Sequence, residues 1–195
     1  MMGNPYIGNA ATFLVHTIFG IYILIVMLRF MFQLCRADFY NPVSQVIVKL
    51  TNPPLLPLRR LVPGVFGLDS AALVLVGGLK AIELWLVISL GGASPNIAGV
   101  AVLTIAELLA LVVNIFLFSI IIQVVISWIN PGTYNPALSL LHSLTEPVLR
   151  PIRRFMPPAA GLDFSPLVAM VALALANMLI VTPIRDQGSL LMMQL

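Results

Sequence analysis

The sequence predicts an all-α, polytopic membrane protein made of two parallel repeats. Each repeat is a transmembrane helix, an amphipathic interfacial connector and a second transmembrane helix, giving four spans. Three observations predict this. Only 9% of the 195 residues are charged while 60% are hydrophobic, with a mean hydropathy of +1.06. Soluble domains carry roughly 25% charged residues, so this chain cannot coat a globule with polar side chains and a bilayer is its natural solvent. Four apolar runs approach or exceed the ~20 residues that a helix needs to cross hydrocarbon. Between the members of each pair of runs, one basic, proline-studded phrase is written, and it is written twice.

Taken in order, the first run is "ATFLVHTIFGIYILIVMLRFMFQLC", predicting a span over about 11–35 interrupted by His16 and Arg29. The ten residues before it, "MMGNPYIGNA", hold no basic side chain. The run is also far longer than the core of a signal peptide, so a retained span is expected. A connector follows over 36–70, then a second span over about 71–93 that carries Lys80 and Glu83. These make repeat 1, residues 1–95. The uncharged turn formers "GGASPN" lead into repeat 2, residues 96–195. Its first span is expected over about 101–129, within an apolar run that starts at Ile97 and includes Glu107; tilt absorbs the excess length. A connector over 130–164 and a span over about 165–183 complete the repeat, and the tail beyond Pro183 is expected to fray.

The repeat is read by sliding the sequence 94 residues along itself. Tyr40-Asn41-Pro42 meets Tyr134-Asn135-Pro136, and Leu50-Thr51 meets Leu144-Thr145. Pro53, Pro57, Arg59, Arg60 and Pro63 meet Pro147, Pro151, Arg153, Arg154 and Pro157, and Gly67-Leu68-Asp69 meets Gly161-Leu162-Asp163. About sixteen of the thirty-five positions from Tyr40 to Val74 match without a gap, the mark of an internal duplication. Two spans per unit make the second copy enter the membrane in the same direction as the first. The cations sit in the connectors: Arg36, Lys49, Arg59 and Arg60 in one, Arg150, Arg153 and Arg154 in the other. The opposite side holds Arg185, beside Asp186. Positive charge marks the cytoplasmic side, so both connectors are expected in the cytoplasm and both termini outside a bacterial inner membrane.

Within each connector, Asn41-Pro42 and Asn135-Pro136 read as an N-cap followed by proline at the first helical position, where a missing N–H costs nothing. Pro53 and Pro147 are expected to end that helix and begin another, with Thr51 and Thr145 as caps. On a helical wheel Val148, Leu149, Ile152, Phe155 and Met156 share one arc, opposite Arg150, Arg153 and Arg154; Leu55, Leu58, Leu61 and Val62 repeat it opposite Arg59 and Arg60. Such a helix lies in the headgroup layer, where each arginine near an anionic leaflet contributes about 1 kcal/mol. Arg59, Arg60, Arg150, Arg153 and Arg154 are therefore the candidate contacts to anionic lipid or to a partner protein. Asp69 and Asp163 suit the positive ends of the helices that return into the membrane, with Ser165-Pro166 as a second cap.

Charges inside spans are costly and face the bundle interior. Lys80 and Glu83, three apart, share a helix face and can pair. With Glu107 and Arg29 they are read as a polar cluster, structural glue on one reading and an ion or proton path on the other; Arg29 alone is near enough to the connector end to snorkel. The 94-residue shift sets Arg29 on Gln123 and Glu83 on Asn177, whereas Lys80 meets Ala174 and Glu107 meets Phe13. Catalytic chemistry is not expected. The sequence holds no phosphate-binding loop, dinucleotide fingerprint or nucleophile elbow. The single cysteine, Cys35, reads as a buried inert thiol. His16 and His142 fall on opposite sides, so no metal or other cofactor site is expected. Short basic stretches without stacking aromatics argue against nucleic acid. The net charge of +3 matters less than its placement.

The phrases "DFYNPVSQVIVKLTNPPLLPLRRLVPGVFGLD" and "YNPALSLLHSLTEPVLRPIRRFMPPAAGLDFSPL" resemble the two repeats of the YggT family, over nearly the whole chain. Copy one departs by carrying Ser70-Ala71-Ala72 where copy two has Phe164-Ser165-Pro166. The resemblance implies a small inner-membrane protein without assigned catalytic residues. It brings associations with osmotic tolerance and potassium uptake, and in plastid relatives with cytochrome b haem assembly, organelle division or nucleoid organisation. The expectation drawn is a non-catalytic accessory, organising or assembly factor acting through its basic connectors. An unidentified membrane-protein partner is expected, and self-association is open; a component of potassium or proton transport is the alternative.

Overall fold

A computed structural model describes residues 5–64, 67–129, 135–156 and 163–193. Among them the elements run α1 (Pro5–Leu34), α2 (Pro42–Leu61), α3 (Ser70–Leu90), α4 (Ile97–Ile129), α5 (Pro136–Phe155), α6 (Ser165–Ala176) and α7 (Thr182–Met193). One π-helical stretch, Asn177–Val181, joins the last two. Four helices are long and apolar enough to cross a membrane: Tyr6–Leu34, Ser70–Leu90, Ile97–Ile129 and Ser165–Met193. Tyr134, Pro157, Gly161 and Leu162, which the repeat aligns, lie outside the described residues.

The chain reverses where its residues permit. Arg36 takes φ 52°, and Ala37 N–H reaches back to Phe32 O at 2.8 Å, closing α1 with a left-handed cap. Gly92, at φ 82°, closes α3 the same way, with Ala93 N–H on Ile88 O at 3.2 Å. Both predicted asparagine caps form: Asn41 Oδ1 accepts from Val43 N–H and Asn135 Oδ1 from Ala137 N–H, each at 2.9 Å. The two connectors meet, because Asn41 Nδ2 donates to Pro136 O at 2.7 Å and Cys35 at the end of α1 lies against Leu144 of α5. The two halves therefore present their connectors at the same end of the bundle.

Three expectations fail, each for a physical reason. The connectors are not broken at their prolines: α2 runs through Pro53, Pro54 and Pro57, and α5 through Pro147 and Pro151. One of the bonds lost to proline is met from outside the helix. Pro54 has no N–H for the Leu50 carbonyl, which takes the Tyr22 hydroxyl at 3.4 Å instead. Thr51 and Thr145 are consequently mid-helix residues whose hydroxyls bond Ile47 O at 2.7 Å and Leu141 O at 2.9 Å, not caps. Nor does Ser165 cap α6; it is the first helical residue, and its N–H donates to Asp163 Oδ1 at 2.9 Å.

The third failure is the tail, which is helix as far as Met193. Pro183 is passed by widening the helix to one π turn, where the Thr182 N–H bonds Asn177 O. The inserted residue turns α7 so that it packs along α4 as a zipper. Gly99 sits so close to Met192 that a Cβ would come within 2.5 Å of its sulfur, and Gly188 would meet Leu103 at 2.8 Å. Asn96 Nδ2 donates to Leu191 O at 3.0 Å. The main core lies at the connector end, where Val26, Met31, Leu55, Val76 and Leu144 are fully buried. A smaller one joins Ile120, Leu149 and Ala169. Ile120 and Leu149 stand 94 residues after Val26 and Leu55, so each copy packs its connector on its first span through the same two positions.

Candidate functional site

Position for position, the two connectors build the same turn. Arg59 at the end of α2 forms an ion pair with Asp69, which also caps α3 through the Ala72 N–H at 3.3 Å. Arg153 pairs with Asp163 at 3.0 Å and with Glu146 at 3.2 Å. One arginine of each Arg-Arg pair thus ties the end of a connector to the start of the following span, and its guanidinium is not free for an outside ligand. Among the described residues no carboxylate lies within ion-pair distance of Arg60, Arg150 or Arg154, all exposed. Beside Arg60 stands Leu61, 80% exposed; beside Arg154 stands Phe155, 87% exposed. Leu55 and Leu149, by contrast, are fully buried, so the apolar wheel faces the core with its middle and the surroundings with its end.

Deeper in, each first span grips its connector with one polar residue. Arg29 Nη1 donates to Thr51 Oγ1 at 2.6 Å, to Asn52 Oδ1 at 2.9 Å and to Val48 O at 3.2 Å. Gln123, its counterpart, accepts from Thr145 Oγ1 at 2.6 Å and meets His142 Nδ1 at 3.1 Å. The same threonine is held from the same place, by a cation in copy one and a neutral amide in copy two. Arg29 is 8% exposed and fixed on α2; it does not snorkel.

The four intramembrane residues expected to cluster divide into three places. Lys80 Nζ pairs with Glu83 Oε2 at 3.0 Å, as the three-residue spacing foretold. Glu107 is apart from them, joined to Arg185 at 3.0 Å on α7, and Arg29 belongs to the connector. The reason is the extended last span: α7 brings a cation opposite Glu107 that a helix ending at Pro183 could not. The group that completes the Lys80–Glu83 pair is His16, whose Nδ1 lies 2.6 Å from Glu83 Oε1. Glu83 is 1% exposed while the His16 side chain is 69% exposed. Matching depths were the available signal. Glu83 lies about 20 Å along α3 from its connector end, and His16 about 20 Å along α1 from Arg29. Among the described residues no three His, Cys, Asp or Glu side chains gather as metal ligands would.

Comparison with known proteins adds a family and no activity. A family model described as CCB3/YggT matches residues 8–90 and again 102–184, two segments offset by the same 94 residues. An uncharacterised protein of Pseudomonas aeruginosa is 42% identical over 177 residues, covering 90% of both chains. An uncharacterised protein of Vibrio alginolyticus is 39% identical over 174 residues, covering 88% of this chain and 93% of its own. The uncharacterised YggT of Escherichia coli K12 is 34% identical over 190 residues, covering 94% and 96%. No solved structure matches.

Proposed function

The chain belongs to the CCB3/YggT family, and from that premise we propose that it is a non-catalytic, multi-pass protein of the bacterial inner membrane that organises other membrane proteins through its cytoplasmic connector face. One observation carries the reading. Each copy ends its connector in an exposed arginine followed by an exposed large apolar residue, Arg60-Leu61 and Arg154-Phe155, while the neighbouring arginine is held internally by aspartate. A cation beside an apolar side chain suits the boundary between headgroups and acyl chains, and a partner resting on that boundary. The positive-inside distribution of the connector arginines supports a cytoplasmic position.

The test is to reverse the outward charges alone. Arg60→Glu with Arg154→Glu should abolish the crosslinks that the protein makes to its neighbours in native membranes while thermal stability in detergent stays unchanged. Identical crosslinks would refute the reading. Arg59→Glu with Arg153→Glu serves as the structural control, since it breaks the turns themselves.

A second reading, passage of potassium or protons, draws on the His16–Glu83–Lys80 group inside the spans. Purified protein in liposomes would then carry a flux that Glu83→Gln alters; silent liposomes would remove autonomous transport.

A further inference from the structure

The outward side of α2 carries a shallow groove of about 570 Å3 lined by Gln45, Val46, Val48, Lys49, Asn52, Pro53 and Leu56. Gln45, Lys49 and Asn52 fall at i, i+4 and i+7, one above another on the helix. Lys49 is exposed and bonds to no carboxylate among the described residues. Asn52 is oriented from behind: its Oδ1 accepts from Arg29 at 2.9 Å, which leaves both Nδ2 hydrogens without a partner among the described residues. Gln45 uses one amide hydrogen on Phe39 O at 2.8 Å and keeps a second. No acidic side chain lines the groove. The cationic Arg29 itself, 8% exposed, is bonded to three neutral oxygens and makes no ion pair, the nearby Asp69 being paired with Arg59, so a positive charge stands behind this wall of donors. The remaining wall is apolar, formed by Val46, Val48, Pro53 and Leu56.

Donors without acceptors, a lysine and a buried charge that makes no ion pair describe a receptor for an anion, and the apolar wall describes one that carries hydrocarbon. We propose that this groove binds one anionic phospholipid. Its phosphate is taken by Lys49 Nζ and Asn52 Nδ2, and its upper acyl chain lies along Val46 and Leu56. Arg29 is a positioning residue: it turns the Asn52 amide so that the donor end faces the lipid. Copy two has no such site. There Lys49 becomes Ser143, Asn52 becomes Glu146 and Arg29 becomes Gln123, so both cations are gone and an acid stands where the phosphate would. The duplication has left one lipid site, not two.

The inference rests on the reading that α2 lies at the lipid interface, and the experiment separates the two. The full chain, purified in mild detergent, is titrated with phosphatidylglycerol, phosphatidylcholine and inorganic phosphate while native mass spectrometry counts bound lipid. One phosphatidylglycerol should be retained at least tenfold more tightly than phosphatidylcholine, with inorganic phosphate not displacing it. Asn52→Asp is the decisive variant, because its carboxylate pairs with Arg29 and keeps α2 docked while removing the amide donor. It should lose the preference for the anionic lipid at wild-type thermal stability, as should Lys49→Gln. Mutating copy two by Ser143→Ala should leave retention unchanged. Equal retention of both lipids, displacement by inorganic phosphate or wild-type retention in Asn52→Asp would overturn the proposal. A Val43→Cys variant in a Cys35→Ala background, on the exposed start of α2 and outside the groove, reports the orientation separately. Labelling from outside alone, with lipid still retained, would overturn the cytoplasmic reading and leave the lipid site standing.

Discussion

Replacing Glu83 by glutamine should be the most damaging single polar change in the spans. Glu83 is 1% exposed and Lys80 11%, with 3.0 Å between their charged atoms. At that separation and an effective dielectric of about 20, their Coulomb attraction is about 5 kcal/mol. Glutamine removes the attraction and leaves an ammonium group buried without an anion, so a net loss of about 3–5 kcal/mol is expected. For a chain of this size that is a fall of about 10 °C in the unfolding midpoint. The assay is thermal unfolding in mild detergent, read by intrinsic fluorescence of Trp85 and Trp128. The double change Lys80→Met with Glu83→Leu removes both charges and should recover most of the loss, because two apolar side chains of similar volume fill the space without a desolvation cost. His16→Ala, touching the same carboxylate from a largely exposed position, should cost below about 1 kcal/mol. A Glu83→Gln midpoint within 2 °C of wild type, or a double variant as unstable as the single, would refute the argument that this pair is desolvated.

Gly188→Ala should destabilise by about 1–3 kcal/mol, since a Cβ there meets Leu103 at 2.8 Å with its backbone nitrogen at 3.0 Å; the same thermal measurement checks it. Gly99→Ala should cost less, because the nearest atoms belong to the flexible Met192 side chain. Arg29→Gln should be tolerated to within about 1 kcal/mol, as glutamine at the corresponding place already holds Thr145, whereas Arg29→Leu takes the donor from Thr51 Oγ1 and Asn52 Oδ1 and should cost about 1–3 kcal/mol. Burial pushes the Cys35 thiol above its usual value of 9.0. Alkylation of folded protein should therefore lag behind that of unfolded protein at the same pH, with its rise displaced to higher pH.

The spans, the duplication and the asparagine caps were legible in the sequence because each is local. Twenty apolar residues in a row, Asn-Pro twice and a lysine three places before a glutamate need no knowledge of the rest of the chain. The unbroken connectors were not legible. A proline inside a helix frees a carbonyl that a distant residue can meet, and for Leu50 it is Tyr22, 28 residues before it, that supplies the hydroxyl. Pro183 misled in the same way, since a π turn admits it and then sets Arg185 against Glu107 across 78 residues. The sequence invites His16 to be weighed only as a cofactor ligand beside His142, whereas its partner Glu83 lies 67 residues on at a matching depth. The division of labour within each Arg-Arg pair is likewise tertiary: identical neighbours in sequence differ because helical geometry turns one toward aspartate and the other outward.

The central claim is that two copies of one hairpin enter the membrane in the same direction and present both connectors to the cytoplasm. Single cysteines at positions 60 and 154, in a Cys35→Ala background, test it with a membrane-impermeant thiol reagent on sealed vesicles of each orientation. Both should be labelled in inside-out vesicles and neither in right-side-out ones. Labelling of the two from opposite sides would contradict the parallel arrangement, and labelling of both from outside would invert the topology.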